Sequence, residues 1–203
     1  MEEIRSNNSC MLRGVLASKP TYSHEARGET FYKFELEIQR LSGATDTIAV
    51  IARSSQLEAI EITCDAMICV SGSIRSFNNK SGIGQKLIVS VFAQEIWLDD
   101  ENDENKVSLT GTICKEPSLR VTPMGREICD IMLAVNRHYG RSDYLPCIAW
   151  GQKAREISNF PTGTVIELEG RLQSRKYMKT IGEEQVEKIA YEVSVISASK
   201  VDT

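Results

Sequence analysis

Residues 106–113 read Lys106-Val107-Ser108-Leu109-Thr110-Gly111-Thr112-Ile113, a strict alternation of polar and apolar positions. The apolar members of this run fall on one side of an extended chain and the polar members on the other. A period of two residues is typical of a β-strand that buries one of its faces. The stretch therefore predicts a strand in the wall of a β-structure.

The residues that follow continue this pattern. Glu127–Arg137 alternates again, with inward positions at Cys129, Ile131, Leu133 and Val135. The remaining segments are a turn at Pro123-Met124-Gly125, a third strand over Ser142–Trp150, a short helix over Lys153–Phe160, and two more strands over Thr164–Ser174 and Val186–Ala198. Five strands with one helix between the third and the fourth is the order of an OB-fold, a small Greek-key barrel. The fold by itself does not choose a ligand.

The sequence also repeats internally at a constant offset of 97 residues. The offset superposes Gly14 on Gly111 and Asp46 on Asp143, and twelve identities fall within 53 positions. Several of these identities are the Gly and Pro residues that shape turns. We therefore predict an all-β chain with two tandem OB-folds, each a five-stranded barrel with a short helix.

Between the two copies lies an acidic block, residues 99–104, in which five of the six residues are Asp or Glu. The whole chain has a net charge of -4, so the remaining residues together carry a small positive charge. Such a block favours solvation over packing. The predicted organisation is an amino-terminal OB-fold over residues 1–98, an acidic linker over 99–104 and a carboxyl-terminal OB-fold over 105–203.

Composition excludes several classes of protein. Hydrophobic residues make up 41% of the chain, and the apolar runs are far shorter than the roughly 18 residues of a membrane span. The six cysteines show no C-x-x-C spacing, and His24 and His138 stand isolated. We therefore expect a soluble, unexported cytoplasmic protein without a metal, a cofactor or an enzymatic activity, and cysteines that serve as reduced, buried thiols.

Six short motifs resemble, in order, the bacterial single-stranded-DNA-binding protein family. They are 105–111, Glu116-Pro117-Ser118-Leu119-Arg120, Thr122-Pro123-Met124-Gly125, Leu133-Ala134-Val135-Asn136-Arg137, Ile148-Ala149-Trp150-Gly151 and 169–175. The resemblance covers residues 105–198 well and reaches residues 8–98 only through the repeat. It implies sequence-nonspecific binding of single-stranded DNA in replication, recombination or repair, in a nucleoid-associated assembly that presents four OB-folds. With two folds per chain, we expect a homodimer.

Binding of this kind needs aromatic rings for base stacking and cations for the phosphates. Tyr144 and Trp150 share one face of the third strand, about 20 Å apart at roughly 3.3 Å per residue. Periodicity alone leaves open whether that face is core or surface. The family resemblance assigns it to base stacking, and it adds Tyr177 on the hairpin after the fourth strand and Tyr139 nearby.

Cations border these rings. The candidate DNA-binding cations are Arg137, Arg141, Arg171, Arg175, Lys176 and Lys179, with Arg120 and Arg126 as weaker candidates. The alternative interpretation of such residues is a charged hairpin that is merely solvated.

The first copy departs from the stacking pattern. Thr47 replaces Tyr144, Arg53 replaces Trp150 and Ser42 replaces Tyr139 at the 97-residue offset. We expect this copy to serve assembly or phosphate contact, with weaker candidates at Arg40, Arg53, Arg75, Phe77 and Lys80. A different aromatic surface built on Phe31 and Tyr32 is the alternative, although that segment is more typical of a core strand.

Two further readings of function stay open. In one, the OB-folds mainly contact proteins, as in a primosome-type accessory module; the acidic linker and the altered first copy favour it. In the other, the chain is an enzyme or an RNA-binding OB domain, and only the fold supports this reading. Family members commonly end in an acidic tip that recruits replication proteins, whereas this sequence ends at residues 199–203 without one. We expect no recruitment by that route, or a substitute role for Asp99–Glu104.

Overall fold

The structure is a computed structural model, and it describes residues 6–60, 63, 65–79, 86–137, 139–181 and 184–201. The first half contains β1 (Asn8–Leu16), β2 (Thr21–Ala26), β3 (Glu29–Gln39), β4 (Thr45–Arg53), α1 (Ser54–Glu58), β5 (Met67–Asn78) and β6 (Leu87–Leu98). The second half contains β7 (Glu104–Ile113), β8 (Ser118–Val121), β9 (Glu127–Asn136), β10 (Ser142–Trp150), α2 (Gly151–Ser158), β11 (Val165–Ile181) and β12 (Glu184–Lys200). Neither helix in this part of the chain has the length and apolar character needed to cross a membrane.

The chain forms two compact units. The N unit consists of Cys10–Asn105 and Gln173–Tyr191, and the C unit consists of Lys106–Leu172, the chain up to Ser9 and the chain from Glu192 onward. The residues that make up these units are not the same as those of the predicted segments 1–98 and 105–203. The outer halves of β11 and β12 belong to the N unit, and the residues before β1 belong to the C unit, where the Thr110 amide donates to the Asn7 carbonyl at 2.8 Å.

Each unit contains a closed OB-fold barrel. In the N unit the strand order is β2-β3-β4-β6-β5-β1, and pairing of β1 with β3 closes the barrel. In the C unit the order is β7-β11-β12-β10-β9-β8, and pairing of β7 with β9 closes it. In the N unit, β6 runs parallel to β4, with Val50 opposite Val91. In the C unit, β12 runs parallel to β10, with Cys147 opposite Val193. The predicted all-β chain with two OB-folds is confirmed.

Close backbone contact at the closure explains two glycines of the repeat. A Cβ atom on Gly111 would lie 2.7 Å from the Ala134 carbonyl oxygen, and a Cβ atom on Gly14 would lie even nearer to the Glu37 carbonyl oxygen. Both distances are shorter than a carbon and an oxygen can approach without strain. Closure of each barrel therefore requires glycine at this position.

The alternation predicted for the second copy is confirmed in the core. Cys129, Ile131, Leu133 and Val135 of β9 are buried, as are the alternate apolar residues of β7. Two details differ from the prediction. The helix begins at Gly151, two residues early, because Gly151 adopts a left-handed φ of 56° directly after β10. An additional short strand, β8, pairs with β9 at the sheet edge, and its alternating run Ser118–Val121 is too short to have been distinguished from a loop.

The acidic segment is held against the N unit. The Arg13 guanidinium lies 2.9 Å from the Asp99 carboxylate and 3.5 Å from each of Glu101 and Glu104, and it donates to the Asn102 carbonyl at 3.0 Å. The Glu101 amide and then Arg13 lower the pKa of Asp99 below its usual value. These contacts connect residues 99–104 to β1 of the N unit.

We predict that Arg13→Ala releases this segment. Losing the guanidinium that bonds to Asp99 and Asn102 should raise the population of open conformers severalfold. Cleavage after Glu101 by a glutamate-specific protease, followed by mass spectrometry, should accelerate by that factor. Arg126→Ala, at an exposed turn residue, should leave the cleavage rate unchanged. Equal rates for the two variants would show that Arg13 does not hold the segment.

Candidate nucleic-acid interface

The outer side of β10 carries two exposed rings. Tyr144 is 49% exposed and Trp150 is 39% exposed, whereas Leu145, Cys147 and Ala149 between them are buried. This is the orientation that the resemblance implied and that periodicity alone had left open. Along an extended strand the two rings stand about 20 Å apart, which is room for several stacked nucleotides.

The floor between and beneath these rings is apolar except for one carboxylate. In the register of β10 with β9, Trp150 lies opposite Ile128, Pro146 opposite Met132 and Tyr144 opposite Ala134. Asp130 lies opposite Ile148 on this same side and pairs with Arg120. Ile128 and Ile148 are buried, whereas the outer surfaces of both rings are open to a flat group.

One apolar residue of this face was missed in the sequence analysis. The parallel register of β12 with β10 pairs Ile148 with Ser194, so Ile196 continues on the same side, next to the Trp150 position. Ile196 is 71% exposed. The buried residues Val193 and Val195 already give the alternation that points Ile196 outward, and this signal could have identified it.

The turn between β9 and β10 adds a third ring. Tyr139 is fully exposed and adopts a left-handed φ of 80°, which is uncommon for a residue with a side chain. The Arg137 amide donates to the Arg141 carbonyl at 2.6 Å across the base of the turn. Arg141 is also exposed, so the turn presents one ring and one cation at the end of β10 that carries Tyr144.

Arg137 has a different environment from Arg141. Its guanidinium forms a fork with the Asp143 carboxylate, with Nε 2.7 Å from Oδ2 and Nη2 bonded to Oδ1. Asp143 is completely buried. The bond to Asp143 raises the pKa of Arg137 and keeps it charged. Because a buried carboxylate needs a paired cation, the first task of Arg137 is structural.

The repeat places the same fork in the N unit. Arg40 Nε lies 2.7 Å from Oδ2 of the buried Asp46, and Arg40 Nη2 bonds to Oδ1. Arg40, a weaker DNA-binding candidate from the sequence, therefore also has a structural partner.

The other candidate cations of the C unit, Arg120, Arg126 and Arg171, lie in three different places. Arg120 pairs with Asp130 at 2.5 Å on the outer side of the sheet, and this pair neutralises a carboxylate that would otherwise repel phosphate. Arg126 is exposed in the turn before β9. Arg171 lies on the outer side of β11, in line with Glu167 and Glu169, and β12 separates it from β10. The structure thus does not bring Arg171 to the strand of Tyr144 and Trp150.

The predicted hairpin residues belong to the N unit. The Arg175 guanidinium lies 5.7 Å from the centre of the Tyr177 ring, within the range of a cation–π contact. Lys176 is exposed and pairs with Glu187 across the hairpin at 3.2 Å. The Lys179 side chain lies outside the described residues. The aromatic and cationic candidates are therefore divided between the two units.

The weaker candidates of the first copy lie in different environments of the N unit. Arg53 lies 5.4 Å above the Phe92 ring and pairs with Glu29 at 3.0 Å. Phe77 is 52% exposed, Arg75 is half-buried, and Lys80 lies outside the described residues. The alternative surface at Phe31 is not available, because Phe31 is buried and its ring stacks on His24 at 4.8 Å.

The described residues contain no group of His, Cys, Asp and Glu that could hold a metal ion. The described cysteines are Cys10, Cys69, Cys114, Cys129 and Cys147, all free thiols. Burial raises the pKa of Cys10 to about 12, so the thiol stays protonated and weakly nucleophilic at neutral pH.

Comparison with known proteins supports the family resemblance and the fold. Residues 104–199 match the model of the single-strand binding protein family, which confirms the resemblance seen in residues 105–198. Single-stranded DNA-binding protein A of Bacillus subtilis is 35% identical over 86 residues, which are 39% of this chain and 50% of that protein. A single-stranded DNA-binding protein of Listeria innocua is 34% identical over 85 residues, 38% of this chain and 54% of that protein. The chain thus spans about half the length of these curated relatives.

A solved structure shares the whole fold. The crystal structure of wild-type single-stranded DNA binding protein from Thermus aquaticus superposes with a TM-score of 0.79 and 21% identity, and the match covers 97% of this chain and 93% of that one. A deletion mutant of the same protein gives a TM-score of 0.80 at 22% identity, with 99% and 97% covered. The two-barrel architecture is therefore one that an experimentally determined protein also adopts.

The different environments of Arg137 and Arg141 predict different consequences of mutation. Arg137→Ala should destabilise the fold by about 3–5 kcal/mol, because it leaves Asp143 buried without its guanidinium. Arg141→Ala, on an exposed arginine, should change stability by less than about 0.5 kcal/mol. Urea unfolding followed by circular dichroism measures both. A similar, small loss in the two variants would contradict the structural role of the fork.

Proposed function

We propose, because residues 104–199 match the model of the single-strand binding protein family, that this chain binds single-stranded DNA without sequence preference and serves DNA replication, recombination or repair. The observation that carries the proposal is the pair of exposed rings, Tyr144 and Trp150, on one strand of the C unit, over a floor whose one carboxylate, Asp130, is paired with Arg120. The proposed role is binding alone, with no chemical step.

Stacking supplies the sequence tolerance. Each base has two flat faces, and a base placed on an aromatic ring gains about 1–3 kcal/mol whatever its hydrogen-bonding edge. Tyr144 and Trp150 offer two such rings, and Tyr139 offers a third at the end of the strand. Single-stranded nucleic acid can present unpaired bases to all three, whereas a duplex keeps its bases stacked inside.

Phosphate contact supplies the salt dependence. Arg141 and Arg126 are the exposed arginines of the turns that flank β9, and the Arg120–Asp130 pair adds little net charge. Each phosphate neutralised on a single strand contributes a slope of about -0.7 to the logarithm of affinity against the logarithm of salt concentration. The small number of exposed candidate cations near the rings supports a shallow slope, with base stacking contributing more of the affinity than phosphate contact does.

We predict that Trp150→Ala weakens binding of oligo-dT by about 1–3 kcal/mol, because one stacking surface is lost. The measurement is fluorescence anisotropy of a labelled oligonucleotide at fixed salt. The matched control is Trp97→Phe, which replaces the other tryptophan and should leave the affinity unchanged. In that Trp97→Phe background, oligo-dT should quench the fluorescence of Trp150.

Three results would count against this function. One is an affinity for oligo-dT that is the same with and without Trp150. Another is the absence of quenching in the Trp97→Phe protein. A third is tighter binding of oligo-rU than of oligo-dT, which would favour an RNA ligand.

We also propose that two copies of the chain associate into a homodimer that presents four OB-folds, as the family resemblance implies. The mass in solution should then be about twice 22.7 kDa. Light scattering coupled to size exclusion, with and without oligo-dT, measures it. A monomer under both conditions would contradict this assembly.

A further inference from the structure

The N unit has a sheet face equivalent to the ring-bearing face of the C unit, but this face is covered. The 97-residue repeat places Ala49 and Ile51 of β4 where Pro146 and Ile148 stand on β10. In the N unit, β12 residues lie over this face and enclose a cleft of about 640 Å³. The cleft is bounded by the sheet residues Lys33, Glu35, Ala49 and Ile51 and by the hairpin residues Ile189 and Tyr191.

Burial confirms that the hairpin rests on this face. Ala49 is buried, although it points out of the barrel in the register that pairs it with Glu35. Tyr191 is half-buried, and burial together with the charge of Glu35 raises the pKa of its hydroxyl to about 12. A strand of nucleic acid cannot lie flat on a face that another part of the chain already occupies.

The base of the hairpin is fixed by Asp46. This carboxylate is fully buried, and its Oδ1 accepts the backbone amide of Ser174 at 2.7 Å. The Ser174 hydroxyl in turn accepts the Thr47 amide at 3.0 Å, and the Ser174 carbonyl accepts Arg40 Nη2 at 3.4 Å. Ser174 is therefore bonded through its amide and hydroxyl to the start of β4, at Asp46 and Thr47, and through its carbonyl to Arg40 just after β3.

The position of this anchor matters for the residues that follow. Arg175, Lys176 and Tyr177 come one to three residues after Ser174, in the same strand. An isolated two-stranded hairpin is marginally stable in water. Side chains that are ordered before a ligand arrives cost less to order on binding. An anchor beside the cluster supplies that order.

We propose that Asp46 is a positioning residue: with Ser174 it seats the β11–β12 hairpin on the N-unit sheet face, so that this face holds Arg175, Lys176 and Tyr177 in place instead of receiving a nucleic-acid strand. The second part of this proposal, which concerns the strand, rests on the proposed function. The first part is the attachment of the hairpin to the N-unit sheet through Asp46 and Ser174, called the seat below, and it does not rest on that function.

The seat is tested by hydrogen–deuterium exchange of backbone amides in the full chain. Ser174→Ala removes the acceptor of the Thr47 amide, and Asp46→Asn weakens the bond to the Ser174 amide. Ser174→Ala should exchange about ten times faster than wild type over residues 175–181 and 184–191, with β5 and β6 unchanged. Asp46→Asn also weakens the fork with Arg40, so it should accelerate the hairpin at least as much and is not required to leave β5 and β6 unchanged. Ser174→Thr keeps the hydroxyl and should behave as wild type.

Two exchange results would overturn the seat. One is unchanged protection of the hairpin in both Ser174→Ala and Asp46→Asn. The other is acceleration in Ser174→Ala that is equal in the hairpin and in β5 and β6, because Ser174 would then support the whole unit and not the hairpin. Ser174→Ala is the milder change and keeps the test usable if Asp46→Asn fails to fold.

The positioning role is tested by a double-mutant cycle on oligo-dT affinity. Tyr177→Ala should lower the affinity for oligo-dT about fivefold or more in the wild-type background. In the Ser174→Ala background, its effect on the logarithm of the affinity should be less than half as large. An equal loss in both backgrounds, or no loss in wild type, would overturn the role. Absence of any oligo-dT binding would instead reject the proposed function, and the exchange result for the seat would stand by itself.

Discussion

A buried carboxylate forked to an arginine six residues earlier is the constraint on which both barrels depend. Asp46 and Asp143 are completely shielded from water, and each would be strongly destabilising without its guanidinium partner, Arg40 or Arg137. The fork spans the connection between the second and third barrel strands, so it fixes the turn that carries Tyr139 in one unit and the seat of Ser174 in the other. The same ion pair thus supports two different surfaces.

Much of the C-unit surface could be predicted from the sequence, because strand periodicity determines which residues share a face. Alternation correctly separated Tyr144 and Trp150 from Leu145 and Ala149, and it gave the bounds of β10. It did not say which face is core, since rings suit either environment. The family resemblance supplied that choice, and the exposure of both rings agrees with it.

Other features could not be predicted from a one-dimensional pattern. An arginine beside an aromatic residue resembles a phosphate contact whether or not a carboxylate six residues away occupies it, so Arg137 and Arg40 gave no sign of their forks. The acidic run at 99–104 resembled a linker because the cation that holds it, Arg13, lies 86 residues before Asp99 in the chain. Assignment of Gln173–Tyr191 to the N unit likewise depends on contacts between distant segments.

The N unit is built from two distant parts of the chain, and this affects how it forms during synthesis. Its barrel strands β1–β6 leave the ribosome in one continuous stretch, but the hairpin that covers its sheet face ends only at Tyr191. At about 5–20 residues per second, the ribosome needs roughly five to twenty seconds to translate the interval from residue 98 to residue 191. During that time Ala49 and Ile51 face water on the nascent chain, and the apolar face is open to chaperones or to a neighbouring copy on the same messenger.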